Sequence, residues 1–222
     1  MISAPTLDNF TAAERRIVRR LGTPAAVQRF LNALPYNNEP PPGRATLRSF
    51  RGVVRHRTAH CIEAALAAAV ILEQHGYPPL ILSFESIDEL DHVLFVYRDR
   101  GRWGSIGRSR DPGLHGRKPV FPTTRALALS YVDPYVDYTG RIVGCTVVDL
   151  RELLGSYDWR LSERNVWKAE RVLLDAPHQR IRSSDARISA LRRRYVEFRQ
   201  RHGRKPLYYD RRAWTALPRG NW

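Results

Sequence analysis

The stretch TAHCIEAALAAAVILEQHG, residues 58–76, carries the most regular pattern in the chain. Its apolar residues recur at helical spacing and form one stripe: Ile62, Ala65, Leu66, Ala69 and Leu72. Gly76 is placed to end the helix, because glycine accepts the left-handed conformation common just after a helix. The pattern predicts a helix from about Thr58 to His75, with Cys61 near its start.

After this helix the periodicity changes from helical to extended. Short runs rich in branched and aromatic residues predict strands at 80–84 (LILSF), 92–98 (HVLFVYR) and 102–107 (RWGSIG). In the second run both strand faces are apolar, which predicts a strand covered from both sides. The helix is therefore expected to pack against a small, antiparallel sheet.

Further helices are expected on both sides of this unit. Residues 11–21 and the run that opens at Thr23-Pro24 and stops at Pro35 have helical spacing, and Pro40–Pro42 predict a loop. Residues 123–140 predict a helix interrupted near Pro134. A last helix over 184–202 has an apolar stripe formed by Ile188, Leu191, Tyr195 and Phe198.

Cys61 and His92 are the residues in which chemistry is expected. A thiol at a helix N-terminus meets unpaired amides and the positive end of the helix dipole, and both stabilise a thiolate. His92 begins a strand expected to lie against that helix. A cysteine at a helix start followed by a histidine at a strand start is the arrangement that nucleophilic cysteine enzymes require. Each residue alone more often fills a core, but the pair in this order favours catalysis.

A metal site is the rival interpretation of the same region. His56 and His60 are four residues apart, a spacing that places metal ligands on one helix face. However, the helix is expected to start after His56, and no metalloprotease pattern follows. We therefore expect neither a bound metal nor a cofactor.

The ordered motifs of residues 47–82 and 91–109 resemble the core of the transglutaminase-like superfamily, part of the papain-like cysteine fold. The run from about Thr23 to Asp137 is similar to a group of uncharacterised bacterial transglutaminase-like proteins, with counterparts of CIEAAL, DHV, WGSI and R-K-P-V. The resemblance implies an α+β fold: a Cys-bearing helix on a small antiparallel sheet, spanning about 45–110 and wrapped by N- and C-terminal helices. It implies Cys61 as nucleophile and His92 as general base, acting on a peptide or another amide-containing substrate.

The third catalytic residue does not carry over from the resemblance. Gly107 stands where the family places an acid, so we expect Asp111 to orient the His92 ring, with Ser109 and Asp91 as rivals. No glutamine stands shortly before Cys61 to complete an oxyanion hole. Its own amide is expected to serve, together with Thr58 or Arg55.

The C-terminal third carries most of the excess positive charge. The chain has a net charge of +15, and residues 151–222 hold 18 basic and 8 acidic residues, a net of +10. We divide the chain into a transglutaminase-like domain, 1–150, and a basic, mainly helical extension packed on it, 151–222. Its arginines favour an acidic partner or nucleic acid, which gives an alternative function: an inactive binding module that keeps the fold. The apolar stripe of the last helix favours a structural role instead.

Composition excludes several broad classes of protein. Two cysteines, Cys61 and Cys145, cannot form a disulfide framework, so a cytoplasmic protein is expected. No apolar run reaches the roughly 18 residues that a membrane-spanning helix needs, and the N-terminus lacks the pattern of a secretory signal. Residues 1–222 are long enough to bury one substantial core.

Overall fold

The computed structural model describes residues 4–38, 45–210 and 214–217. Its helices and strands form an α+β fold in which a central sheet separates two helical layers. The helices are α1 (Ala12–Arg20), α2 (Pro24–Ala33), α3 (Phe50–His56), α4 (Cys61–Glu73), α5 (Thr124–Tyr135), α6 (Leu150–Leu154), α7 (Trp167–Asp175) and α8 (Asp185–His202). The strands are β1 (Leu80–Ser86), β2 (Val93–Asp99), β3 (Arg102–Ile106), β4 (Arg117–Phe121), β5 (Ile142–Asp149), β6 (Gln179–Arg180), β7 (Tyr209–Asp210) and β8 (Thr215–Ala216).

Six strands form one antiparallel sheet in the order β4-β3-β2-β1-β5-β6. The predicted strands are its consecutive β1, β2 and β3, and the expected α+β class with a Cys-bearing helix on an antiparallel sheet is confirmed. Strand β5 pairs with the whole of β1, although the two strands are far apart in the chain. Strand β4 contains Pro119 and lies at the sheet edge, where a residue without an amide donor is tolerated.

Helix α4 is more deeply buried than its single apolar stripe predicted. Its side chains from Ile62 to Leu72 are all buried, because β2 packs on one side of the helix and α1, α2 and α3 pack on the others. The five alanines in this stretch are small enough to let those neighbours approach closely. This enclosure fixes the helix, and so fixes where its first residue, Cys61, lies.

The two sheet faces bury separate apolar clusters. Val93, Phe95 and Tyr97 of β2 pack with α4 on one face, whereas Leu94 and Val96 pack with α5 on the other. The prediction of a strand covered on both sides is confirmed. Trp159, which follows α6, is fully buried in the α4 cluster, so residues beyond 150 contribute to the same core. The division of the chain at residue 150 stays a prediction.

Helix α8 buries Ile188, Leu191 and Tyr195, three of the four residues in its predicted stripe. Several of its arginines bond within the chain: Arg187 to Asp133 and Arg192 to the Thr139 carbonyl. These contacts favour a structural role for the helix. The predicted loop at Pro40–Pro42 lies outside the described residues. Within the described ranges, no helix has the length and hydropathy of a bilayer span.

Candidate functional site

Cys61 is the first residue of α4 and lies partly exposed on a cavity of about 640 Å³. Burial raises the pKa of its thiol, but the hydrogen-bonding and positive charge of His60 and His92 outweigh burial. The net result is a pKa lowered to about 6. The other cysteine, Cys145, is buried in β5, and burial raises its pKa. The pKa of Cys61 is therefore lowered, as is typical of a nucleophilic cysteine, whereas the pKa of Cys145 is raised, as is typical of a cysteine in a core.

His92 lies just before β2, with 3% of its surface exposed. Its ring stacks parallel to Phe84 and lies beside Tyr131, with centroid distances of 6.5 and 6.2 Å. Its Nε2 is 2.8 Å from the carbonyl oxygen of Leu114, so Nε2 carries the proton and donates it to that oxygen. Nδ1 is then the nitrogen left for the hydrogen bond to Cys61.

The side chains expected to orient His92 are engaged elsewhere. The Asp111 carboxylate accepts a hydrogen bond from Lys205, and the Asp91 carboxylate accepts one from the Ser86 amide. The Ser109 hydroxyl accepts from the Asp111 amide. The role that we expected of Asp111 is therefore occupied by the main-chain carbonyl of Leu114. The loop does fold back toward His92, but it presents backbone and not a carboxylate.

Arg117 holds the loop that presents this carbonyl. Its side chain is fully buried and donates to the carbonyl oxygens of Gly113, at 2.6 Å, and His115, at 2.7 Å, which flank Leu114. The guanidinium lies between two aromatic rings, 4.0 Å from the Tyr131 centroid and 3.3 Å from that of Tyr209. Such stacking stabilises a buried cation. The C-terminal segment thus contributes to the position of the His92 ring.

His60 is a second histidine at the thiol, which we had weighed only as a metal ligand. It is the N-cap residue of α4, lines the same cavity as Cys61, and lowers the pKa of the thiol. Its Nε2 lies 2.8 Å from the Thr46 carbonyl oxygen and 3.5 Å from Oε1 of Glu63. Burial lowers the pKa of His60, but the contact with Cys61, the charge of Glu63 and the Thr46 carbonyl raise it to about 9.

Glu63 is a fully buried carboxylate that accepts hydrogen bonds from backbone and side-chain donors. It accepts hydrogen bonds from the backbone amides of Arg48 and His60, at 2.9 and 3.1 Å. The Asn37 amide and the Thr46 hydroxyl also donate to it, at 3.1 and 3.0 Å. A local signal for this arrangement was present in the sequence, since His-Cys-Ile-Glu places an acid at the third helical position, where it can return to the N-cap amide.

The oxyanion side of the site also differs from expectation. The Thr58 hydroxyl accepts from Arg48 at 2.6 Å, and Arg55 forms an ion pair with Glu163. Tyr36 lies on this side of the thiol, since it lines the same cavity as Cys61 and the Cys61 amide is among the groups that lower its pKa. Burial raises the pKa of Tyr36, and the negative charge of the thiolate raises it further, so the phenol keeps its proton. A short parallel bridge between Tyr36 and Ala59 positions the ring.

The rival metal interpretation finds no cluster of ligands. His56 is exposed at the end of α3, away from the thiol. Across residues 4–38, 45–210 and 214–217, no three or more His, Cys, Asp or Glu side chains are grouped to hold a metal ion. The absence of a bound metal stays a prediction.

Comparison with known proteins gives a distant match. No protein-family model matches the chain, and no curated protein sequence matches it. Among solved structures, the chain is similar to calcium-bound LapG of Legionella pneumophila, with 11% sequence identity and a TM-score of 0.36. The match covers 76% of this chain and 94% of that one.

Proposed function

We propose that this protein is a cysteine-dependent acyl-transferring or amide-hydrolysing enzyme, with Cys61 as nucleophile and His92 as general acid and base. One observation carries the proposal: the Cys61 thiol lies at the N-terminus of a 13-residue helix and lines one cavity with His92, whose Nε2 is fixed by a backbone carbonyl. The Leu114 carbonyl selects the tautomer in which Nδ1 of His92 faces the thiol, as a carboxylate does in related catalytic sites.

The reaction follows from this geometry. His92 takes the thiol proton, and the Cys61 sulfur forms a bond to the substrate carbonyl carbon while the C=O electron pair moves onto oxygen. When the tetrahedral intermediate collapses, the C–N bond breaks and His92 gives its proton to the departing amine. Water or a second amine then gives a proton to His92, attacks the thioester and releases the thiolate.

Two donors support negative charge on the substrate oxygen. The Cys61 amide is one, since it lies at the start of the helix and is directed to this side of the thiol. The Tyr36 hydroxyl is the second, because its raised pKa keeps it protonated and able to donate. An oxygen that enters between these groups replaces their present contact with each other.

The cavity beside the thiol suits an extended peptide or a similar amide. Leu173 and Leu174 of α7 give it an apolar wall, and Trp167 lies in the same lining. Polar and charged groups from the loop before His92 and from Lys205 line the remainder. A cavity of about 640 Å³ is within the range of roughly 300–1,000 Å³ that small ligands occupy.

The test uses a simple acyl donor, because it does not require knowledge of the natural substrate. With p-nitrophenyl acetate we expect a burst of p-nitrophenolate close to one equivalent per chain, and an acetyl group on Cys61 by peptide mass spectrometry. Cys145→Ser is the matched control and should keep the burst, whereas Cys61→Ser should lose it. A tryptic peptide mixture, incubated with and without an added primary amine, then distinguishes hydrolysis from transfer by the masses of the products.

Acetylation of Cys61 is the result on which the proposal depends. If Cys61 is not acetylated, or is acetylated no faster than Cys145, the thiol is not a nucleophile. The inactive binding module would then be the better account of the fold.

A further inference from the structure

A histidine and a buried carboxylate remain beside the nucleophile after the reaction has been assigned to Cys61 and His92. We propose that His60 is a second catalytic histidine, whose imidazolium is held between the Thr46 carbonyl and the Glu63 carboxylate and donates to the Cys61 sulfur. It stays protonated throughout the cycle and stabilises the thiolate, whereas His92 moves the protons. This inference rests on the proposed role of Cys61 and adds a separate function beside it.

The contacts of His60 hold it in the orientation that this role needs. Nε2 lies 2.8 Å from the Thr46 carbonyl oxygen, which leaves Nδ1 to face the thiol. The ring cannot easily turn away, since 12% of the side chain is exposed and the His60 amide is itself bonded to Glu63. A ring that donates from both nitrogens, one to a carbonyl and one to a thiolate, is an imidazolium.

Glu63 supplies the negative charge that a permanent imidazolium requires. Its carboxylate is fully buried, and its backbone and side-chain donors come from three separate parts of the chain. Oε1 of Glu63 is 3.5 Å from Nε2 of His60, close enough for the charge of the carboxylate to favour a protonated ring. The raised pKa of His60, about 9, agrees with a charged ring at neutral pH.

The other charged groups near the pair do not replace His60. Arg48 also faces Glu63, with its Nε 4.0 Å from Oε1. Tyr36 faces Cys61 as a neutral phenol, and His92 faces it from the sheet. The wider cavity carries charges of both signs, with Asp88, Asp91 and Glu170 against Arg110. Lys205 and Asp111 also line it, but they form an ion pair with each other.

The charge balance of the site explains why two histidines are useful. Glu63 is matched by the His60 imidazolium, and the thiolate is matched by the His92 imidazolium that forms when His92 takes the thiol proton. When His92 later gives its proton to the leaving group, the sulfur of the acyl-enzyme carries no charge. The positive charge of His60 and the negative charge of Glu63 still cancel. The thiolate released after deacylation again meets a cation, the His92 imidazolium, whose proton came from the attacking water or amine.

The experiment measures alkylation of Cys61 by iodoacetamide across a pH series in Cys145→Ser protein. We expect the rate to rise with a midpoint near 6 in this background. His60→Asn keeps a residue favoured at a helix N-cap but removes the charge, and should move the midpoint upward by at least about one pH unit. The rate at pH 5, below both midpoints, should then fall about tenfold, since there one pKa unit changes the thiolate fraction by that factor. His56→Asn, an exposed histidine in the preceding helix, is the matched control and should leave the profile in place.

A second measurement avoids any change to the site. In ¹⁵N-labelled protein the His60 ring should show both nitrogens protonated at pH 7.5, where a free imidazole is mostly neutral. A neutral His60 ring, or an unchanged alkylation midpoint in folded His60→Asn protein, would overturn the inference. Either result leaves the acyl-enzyme test of Cys61 unaffected. Conversely, a protein with a low thiol midpoint and no acyl-enzyme would retain the His60 assignment and lose the proposed function.

Discussion

The two histidines beside Cys61 each have one ring nitrogen against a backbone carbonyl, but only one of them also lies beside a carboxylate. In each ring Nε2 lies 2.8 Å from a backbone carbonyl, that of Thr46 for His60 and that of Leu114 for His92. His60 has in addition the Glu63 carboxylate, held within the same helical turn. A carboxylate stabilises the charged ring, whereas a carbonyl alone fixes orientation and lets the proton leave. The difference separates a fixed cation from a proton carrier.

The largest effect is expected from removal of the proton carrier. His92→Asn should lower turnover of an amide substrate by about 10²–10⁴-fold, the usual contribution of a general acid and base. Alkylation of Cys61 at pH 7.5 should fall much less, because His60 still supports the thiolate. Parallel measurement of the two rates checks the division of roles. Equal losses in both would mean that the two rings share one function.

A smaller effect is expected when the support of His92 is disturbed indirectly. Arg117→Lys keeps a buried cation but cannot donate to both the Gly113 and His115 carbonyls in the same fork geometry. We expect turnover to fall about tenfold to a hundredfold, since small misplacement of a catalytic group has effects of this size.

The His60 side of the comparison serves as the control for this variant. The alkylation midpoint of Cys61 in Arg117→Lys should stay near that of the unchanged protein, because Arg117 donates to the Gly113 and His115 carbonyls, whereas His60 is held by Thr46 and Glu63. Thermal unfolding should confirm that the variant is folded at the assay temperature. A midpoint that moves with turnover would show that the two supports are not independent.

The smallest effect is expected at Asp111. Its carboxylate pairs with Lys205, and the side chains of both residues are substantially exposed, at 31% and 40%. Such a pair contributes about 0–1 kcal/mol. Asp111→Asn should therefore change turnover by less than about threefold, a factor that corresponds to less than 1 kcal/mol. A loss comparable with that of His92→Asn would restore the carboxylate that we first expected at this ring.

Part of the site could be predicted because its signals are local. The helix carrying Cys61 and the strand that follows His92 have strong periodicity, and their order along the chain favoured a catalytic pair. Helix α4 was expected over 58–75 and extends from Cys61 to Glu73. The three-residue spacing of His60 and Glu63 indicated their contact at the helix start, but the four-residue spacing of His56 and His60 suggested a metal site instead.

The remainder depends on contacts that leave little trace in sequence. The partner of His92 is a main-chain oxygen, and every residue has one, so Leu114 carries no distinguishing side-chain signal. Strand β5 was missed because its place beside β1 follows from long-range pairing and not from a short hairpin. Tyr36 reaches the thiol through a single bridge to Ala59, which neither propensity nor periodicity predicts.

The ring of Tyr209 over Arg117 sets an order of events during synthesis. A ribosome completes His92, Leu114 and Arg117 well before Tyr209, and N-terminal segments begin to fold first. Until Tyr209 arrives, the guanidinium that holds the Leu114 loop is covered on one side by Tyr131 alone. His92 therefore acquires its final support late. In the proposed mechanism, a nascent chain in this state would carry the Cys61 thiol before its proton carrier is fully held in place.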